Sequence, residues 1–277
     1  MRILVGFDGN DGGRDALELA RVMASATGAG VLVVAAIPYG PLPVSAARLE
    51  GDQLGEAEPL LAEARERLGD LEVETRAFGG GSPAGVLTMV AEEEDLELLV
   101  VGSPHRGPVG RALIGSVADS LLPAAPCAVV VAPRGYATER HQPFGLIAVA
   151  YDGTAEARMA LRRAERIAAA TGARLRILTV VSPPTAVGVV GYVPPKPPDP
   201  EKIAEEAIDS IDRGLQAESR VLSGPTAITL ASAGEDGVDL IVAGSRGHGP
   251  FMRVLLGSVS SRLVHEAPCP VLIVPRP

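Results

Sequence analysis

Gly244-Ser245-Arg246-Gly247, then nine residues, then Gly257-Ser258-Val259, and at the close the apolar run Val271-Leu272-Ile273-Val274: this stretch decides the architecture. A looser copy stands 142 residues earlier, as Gly102-Ser103-Pro104-His105, nine residues, Gly115-Ser116-Val117, and then Val129 to Val131. Aligned without a gap, residues 102–134 and 244–276 agree at 16 of 33 positions. Chance would give about two or three, so the chain carries an internal duplication. The repeated unit reads as a strand, a glycine-rich loop and a helix start. Proteins cradle phosphate with that arrangement, because loop and helix-end N–H groups converge on one anion.

The repeat extends to the front of each half. Ile3-Leu4-Val5-Gly6-Phe7-Asp8-Gly9 aligns with Ile147-Ala148-Val149-Ala150-Tyr151-Asp152-Gly153, and Thr27-Gly28-Ala29 with Thr171-Gly172-Ala173. Apolar runs of strand length fall at 2–7, 31–37, 97–101 and 128–132, and the more polar 73–78 reads as an edge strand. Helical patterns lie between them at 13–26, 50–68, 83–94 and 116–124, and again near 154–170, 200–213, 226–234 and 258–266. Strands apolar on both faces and alternating with helices predict an α/β fold, a parallel sheet covered on both sides. The expected organisation is two tandem doubly wound domains, 1–134 and 145–277, joined by a polar linker at 135–144. Residues 182–200 hold seven prolines and read as an exposed loop of polyproline character, a spacer between strand and helix.

Composition narrows the partners. With 277 residues, each half is long enough to bury a core without metal or disulfide. A net charge of −9 argues against nucleic acid and against an anionic membrane surface. Only Lys196 and Lys202 are lysines, so cationic work falls to arginine, and no P-loop lysine stands near a glycine loop. Cys127 and Cys269 occupy equivalent places and read as buried packing residues, and the four histidines lack metal-ligand spacing. His141 and His265 read as surface residues. Met1 leads straight into a strand, and no apolar stretch reaches the roughly 20 residues of a membrane span, so the expectation is a cytoplasmic protein.

The candidate site gathers around the glycine loops. Gly244, Gly247, Gly249 and Gly257 let backbone N–H groups approach an anion, and Ser258 adds a hydroxyl that could also cap the helix. Asp8 and Asp152 end the first strand of each half. If strands one and four are neighbours, each faces its own glycine loop across the crevice where the winding reverses. An Asx turn opening the next helix is the competing reading for both. Arg111 and Arg253 are equivalent and suit a polyphosphate, or are solvated loop residues; Arg246 and His248 exist only in the second half.

G-x-x-G, nine residues and G-[ST], after an Asp-terminated first strand, resembles the universal stress protein family over nearly the whole chain. The resemblance implies a five-stranded parallel sheet in order 3-2-1-4-5 in each domain, of the adenine nucleotide alpha-hydrolase-like type. It implies ATP, or ADP or AMP, against Asp152, Val180, Gly244, Gly247, Gly257, Ser258 and Val259; Mg²⁺, held mainly by the phosphates, belongs to the alternative ATPase reading. The matching first-half positions are Asp8, Ala36, Gly102, Gly115, Ser116 and Val117. There the pattern breaks: His105 stands where the signature has its second glycine, after Pro104, which lacks a donor. Gly107 offers an alternative turn, and Ser116-x-x-Asp119 reads as a capping box that satisfies the helix without a ligand. The first site is therefore expected to bind more weakly than the second, or not at all.

The reading favoured is a nucleotide-responsive regulator in stress response with no catalytic residue assigned. A weak Mg²⁺-dependent ATPase, with Asp152 as the candidate base, and a nucleotide-independent interaction scaffold stay open beside it. The last strands of the two halves are edge strands in the family's order, so they are expected to pair with each other within one chain. Homodimerisation of the whole chain is left open.

Overall fold

A computed structural model of the chain describes residues 2–37, 46–103, 116–139, 141–182, 199–245 and 257–276. In the first half, strands β1 (Arg2–Gly6), β2 (Gly30–Ile37), β3 (Ala47–Leu49), β4 (Val73–Gly79), β5 (Leu98–Gly102) and β6 (Ala128–Ala132) alternate with helices α1 (Asp11–Thr27), α2 (Ala57–Leu68), α3 (Pro83–Glu93) and α4 (Ser116–Leu121). The second half repeats the plan of the long strands among the described residues. Its strands are β7 (Leu146–Ala150), β8 (Arg174–Val181), β9 (Ala217–Ser223), β10 (Leu240–Gly244) and β11 (Val271–Val274). Its helices are α5 (Ala155–Thr171), α6 (Pro200–Ser210), α7 (Thr226–Ser232) and α8 (Ser258–Glu266).

The strands form one continuous sheet in the order β3-β4-β2-β1-β5-β6-β11-β10-β7-β8-β9. Within each half the five long strands run parallel in the order 3-2-1-4-5. At the centre β6 and β11 run antiparallel, with Val131 opposite Val271 and Val129 opposite Ile273, so the closing strands of the two halves do pair. The seam reverses the polarity of the second half, and the carboxyl ends of its strands point to the opposite end of the sheet.

The apolar runs explain the layering. Ile3, Leu4 and Val5 on β1 and Ile147, Ala148 and Val149 on β7 are fully buried, because helices cover both sheet faces. One face packs α1, α2, α5 and α6, with Leu17, Leu19, Leu68, Leu161 and Ile167 in its core. The other packs α3, α4, α7 and α8 through Leu87, Leu121, Leu230 and Leu263. Both cores run through both halves. Helix ends follow local chemistry: Asn10 and Thr154 cap α1 and α5 through side-chain acceptors, and Gly28 and Gly172 stop them in the left-handed conformation.

Several expectations need correction. The 73–79 strand is not the edge, because the three-residue β3 pairs antiparallel along its Ala77–Gly79 end. The helix expected over 50–68 divides into a 3₁₀ turn at Gly51–Leu54 and α2, with Gly55 at φ +33° between them. The 135–144 linker is docked on the first half. Tyr136–Thr138 forms a 3₁₀ turn, Tyr136 is buried, and the backbone N–H groups of Gly135 and Ala137 donate to the buried Asp15 carboxylate at 2.9 and 2.8 Å. His141 is half-buried, stacked on the Tyr136 ring at 3.6 Å. His265 is half-buried too, with Nε2 4.0 Å from Asp119 Oδ1 across the seam. Most of the proline-rich 182–200 stretch lies outside the described residues. Burial pushes the Cys127 thiol up to about 11 and Cys269 to about 12. Among the described residues no helix is long and apolar enough to cross a membrane.

Candidate functional site

Each half opens a cleft where its strand order reverses, between β1 and β5 in the first and between β7 and β10 in the second. In open parallel sheets ligands bind at that point, beyond the carboxyl ends of the strands. The first cleft holds about 230 Å³ and the second about 260 Å³. Asp8, Ala36, Gly102 and Val117 line the first; Asp152, Val180, Gly244 and Val259 line the second. These are eight of the residues expected at the site, and the two halves bring them together in the same way.

The strand-ending aspartates organise the turn into the next helix. Asp8 Oδ1 accepts the Asn10 N–H at 3.2 Å, and Oδ2 accepts Asn10 Nδ2 at 2.6 Å. Asp152 Oδ1 accepts both the Thr154 N–H, at 3.1 Å, and its hydroxyl, at 2.6 Å. Gly9 and Gly153, at φ +76° and +77°, supply the left-handed step inside these turns. The Asx-turn reading is thus realised, and each carboxylate still stands at the cleft wall.

The first glycine of each loop has a packing reason. A Cβ on Gly102 would stand 1.9 Å from the Gly12 carbonyl oxygen. One on Gly244 would stand 2.8 Å from Glu156 Cβ and 2.9 Å from its carbonyl carbon and oxygen. The first turns of α1 and α5 therefore rest directly on the strand exits. Gly257 is the N-cap of α8, in an extended conformation without a side-chain cap, and Ser258 is the first helical residue and exposed. That corrects the expectation of Ser258 as cap. Ser116 likewise begins α4 as a helical residue, and Asp119 turns towards His265. Burial raises the Asp119 carboxyl, against the pull of His265.

Gly107, Arg111, Gly115, Arg246, Gly247, His248, Gly249 and Arg253, with His105, lie outside the described residues.

Other lining residues were not foreseen. The Ser260 hydroxyl donates to the Gly244 carbonyl at 2.9 Å and ties α8 to the loop root; its counterpart, Ala118, has no hydroxyl. Ser182 and Thr226 hydroxyls meet at 2.7 Å at the mouth of the second cleft, where the first presents Pro83. Glu156 lines the second cleft and pairs with Arg276. Its own backbone N–H and then the Arg276 guanidinium hold its carboxyl below the usual range, against burial. The only signal for Ser260, Thr226 and Glu156 is their position within helix first turns, and for Ser182 its place just past β8, which a motif built on glycines passes over. Among the described residues no cluster of three or more His, Cys, Asp or Glu could hold a metal ion.

The model of the universal stress protein family matches residues 1–133 and 143–275. A universal stress protein of Mycobacterium tuberculosis is 30% identical over 300 aligned positions, covering 99% of this chain and 100% of that one. The crystal structure of a universal stress protein from Archaeoglobus fulgidus superposes with a TM-score of 0.74 at 22% identity, over 100% of this chain and 98% of its own. At that identity the likeness is one of fold. A universal stress protein solved in complex with cAMP is 27% identical over 47% of this chain and 97% of its own, with a TM-score of 0.38.

Proposed function

The chain belongs to the universal stress protein family, and on that premise we propose that it is an adenine-nucleotide-binding regulator. The observation that carries the reading is the pair of switch-point clefts. Each is walled by a strand-ending aspartate and floored by the first glycine of a phosphate-type loop. The base and sugar would lie against the β2 or β8 end, at Ala36 or Val180. The phosphates would pass over the loop towards the α4 or α8 start. Mg²⁺, where present, would be carried by the phosphates, since a triphosphate chelates it without protein ligands.

Regulation is favoured over hydrolysis by the use already made of the candidate base. Asp152 is committed to the Thr154 turn through Oδ1. The intact second motif, Gly244 to Ser258, supports the tighter site, and Pro104 with His105 the weaker.

The test is to purify the chain without added nucleotide, denature it, and quantify any released base by chromatography, followed by calorimetry with ATP, ADP and AMP. A bound or bindable adenine nucleotide is expected. An empty protein that also gives no heat with any of the three overturns the reading and leaves the scaffold function.

A further inference from the structure

The two clefts are repeats in outline and differ in charge at the root of the glycine loop. In the second, Glu156 stands in the first turn of α5 against Gly244 and reaches Arg276, just beyond β11, in an ion pair. The Glu156 side chain is only 14% exposed. In the first cleft the residue pressed against the loop root is Gly12, which has no side chain to offer. Arg134, which the duplication aligns with Arg276, is exposed and makes no ion pair among the described residues. By the duplication each half thus carries an arginine just beyond its last strand, and among the described residues only Arg276 is paired with a carboxylate of a cleft wall.

On the reading that both clefts take adenine nucleotides, we propose that the Glu156–Arg276 pair sets the phosphate number each cleft prefers. The second cleft selects against an extended triphosphate and towards a monophosphate, relative to the first, where Gly12 leaves the loop root without a carboxylate. A carboxylate fixed at the loop root repels a ligand in proportion to the ligand's negative charge, and ATP carries more of it than AMP. The selectivity lies in the ratio of ATP to AMP affinity.

The experiment is calorimetric titration of the full chain with ATP and with AMP, at low and high salt. Glu156→Gln keeps the shape of the side chain and removes its charge. It should raise the ATP-to-AMP affinity ratio of one site by about fivefold, an effect that shrinks at high salt. The reciprocal change, Gly12→Glu, should lower the ratio at the other site. It is compared with Gly12→Gln, which carries the same crowding beside Ser103 without the charge. Ratios that stay within the error of wild type in Glu156→Gln, or that match between Gly12→Glu and Gly12→Gln, overturn the inference while wild-type binding upholds the broader reading. Absence of nucleotide binding by the wild-type chain overturns both.

Discussion

At the scale of residues, Gly102 carries two meanings that a sequence cannot separate. A glycine at a strand exit serves equally for approach to phosphate and for approach of a neighbouring helix, and here the second is geometrically obligatory. Gly102→Ala drives a Cβ to 1.9 Å from a backbone oxygen, whereas Gly244→Ala meets its neighbours at 2.8 to 2.9 Å. The first should cost about 3 kcal/mol and the second less, read as the difference in urea midpoint, with or without nucleotide. Arg176 makes a similar point about burial. It is 7% exposed on β8, where the first half has Leu32, and its partner is Glu218 on the edge strand β9. Glu218→Ala should destabilise by about 1–3 kcal/mol, while Arg176→Met should be nearly neutral, because a lone buried charge costs more than a missing pair. The legible residues were those whose type and spacing repeat: the two aspartates and the glycines. Asp15 was not legible, because the N–H groups it satisfies lie 120 and 122 positions away.

Among elements, the apolar strands and capped helices could be read because burial on both faces and the 3.6-residue period leave plain signatures. β3 left none: three residues give no period, and its pairing is fixed by β4 rather than by its own composition. The outer part of the first half is tied by charge. Arg76 on β4, only 11% exposed, bonds Glu74 and Glu94, and Arg2 on β1 bonds the same two carboxylates. Hydrogen bonding from Arg76 first, and then the nearby arginine charge, hold both carboxyls below their ordinary value. Their contribution is therefore complete above the unfolded carboxylate range and is lost as pH falls through the depressed folded values. Thermal melts should show a steep acid limb below about pH 4.5. A Glu74→Gln, Glu94→Gln double variant should lower the neutral-pH midpoint and flatten that limb. At the opposite edge, β9 is exposed along most of its length and, among the described residues, bonded on one side only. Its amides should exchange with solvent well before those of β5, β6, β10 and β11.

For the whole molecule, the duplication foretold two domains, and the structure joins them into one sheet with two shared cores. Denaturation followed by circular dichroism and by hydrogen exchange in each half should therefore give one coincident transition; two separated midpoints would mean that the seam contributes little. The antiparallel β6–β11 pairing has another consequence. Two separate chains meeting edge to edge would dissociate on dilution and would show every substitution twice, once in each copy related by the two-fold axis. Here the connection at 135–144 is pinned by Asp15, so the partners stay together however scarce the protein is. Mutation reaches one member of the pair at a time, and a cell that keeps only a few copies still holds a matched set of unlike ends.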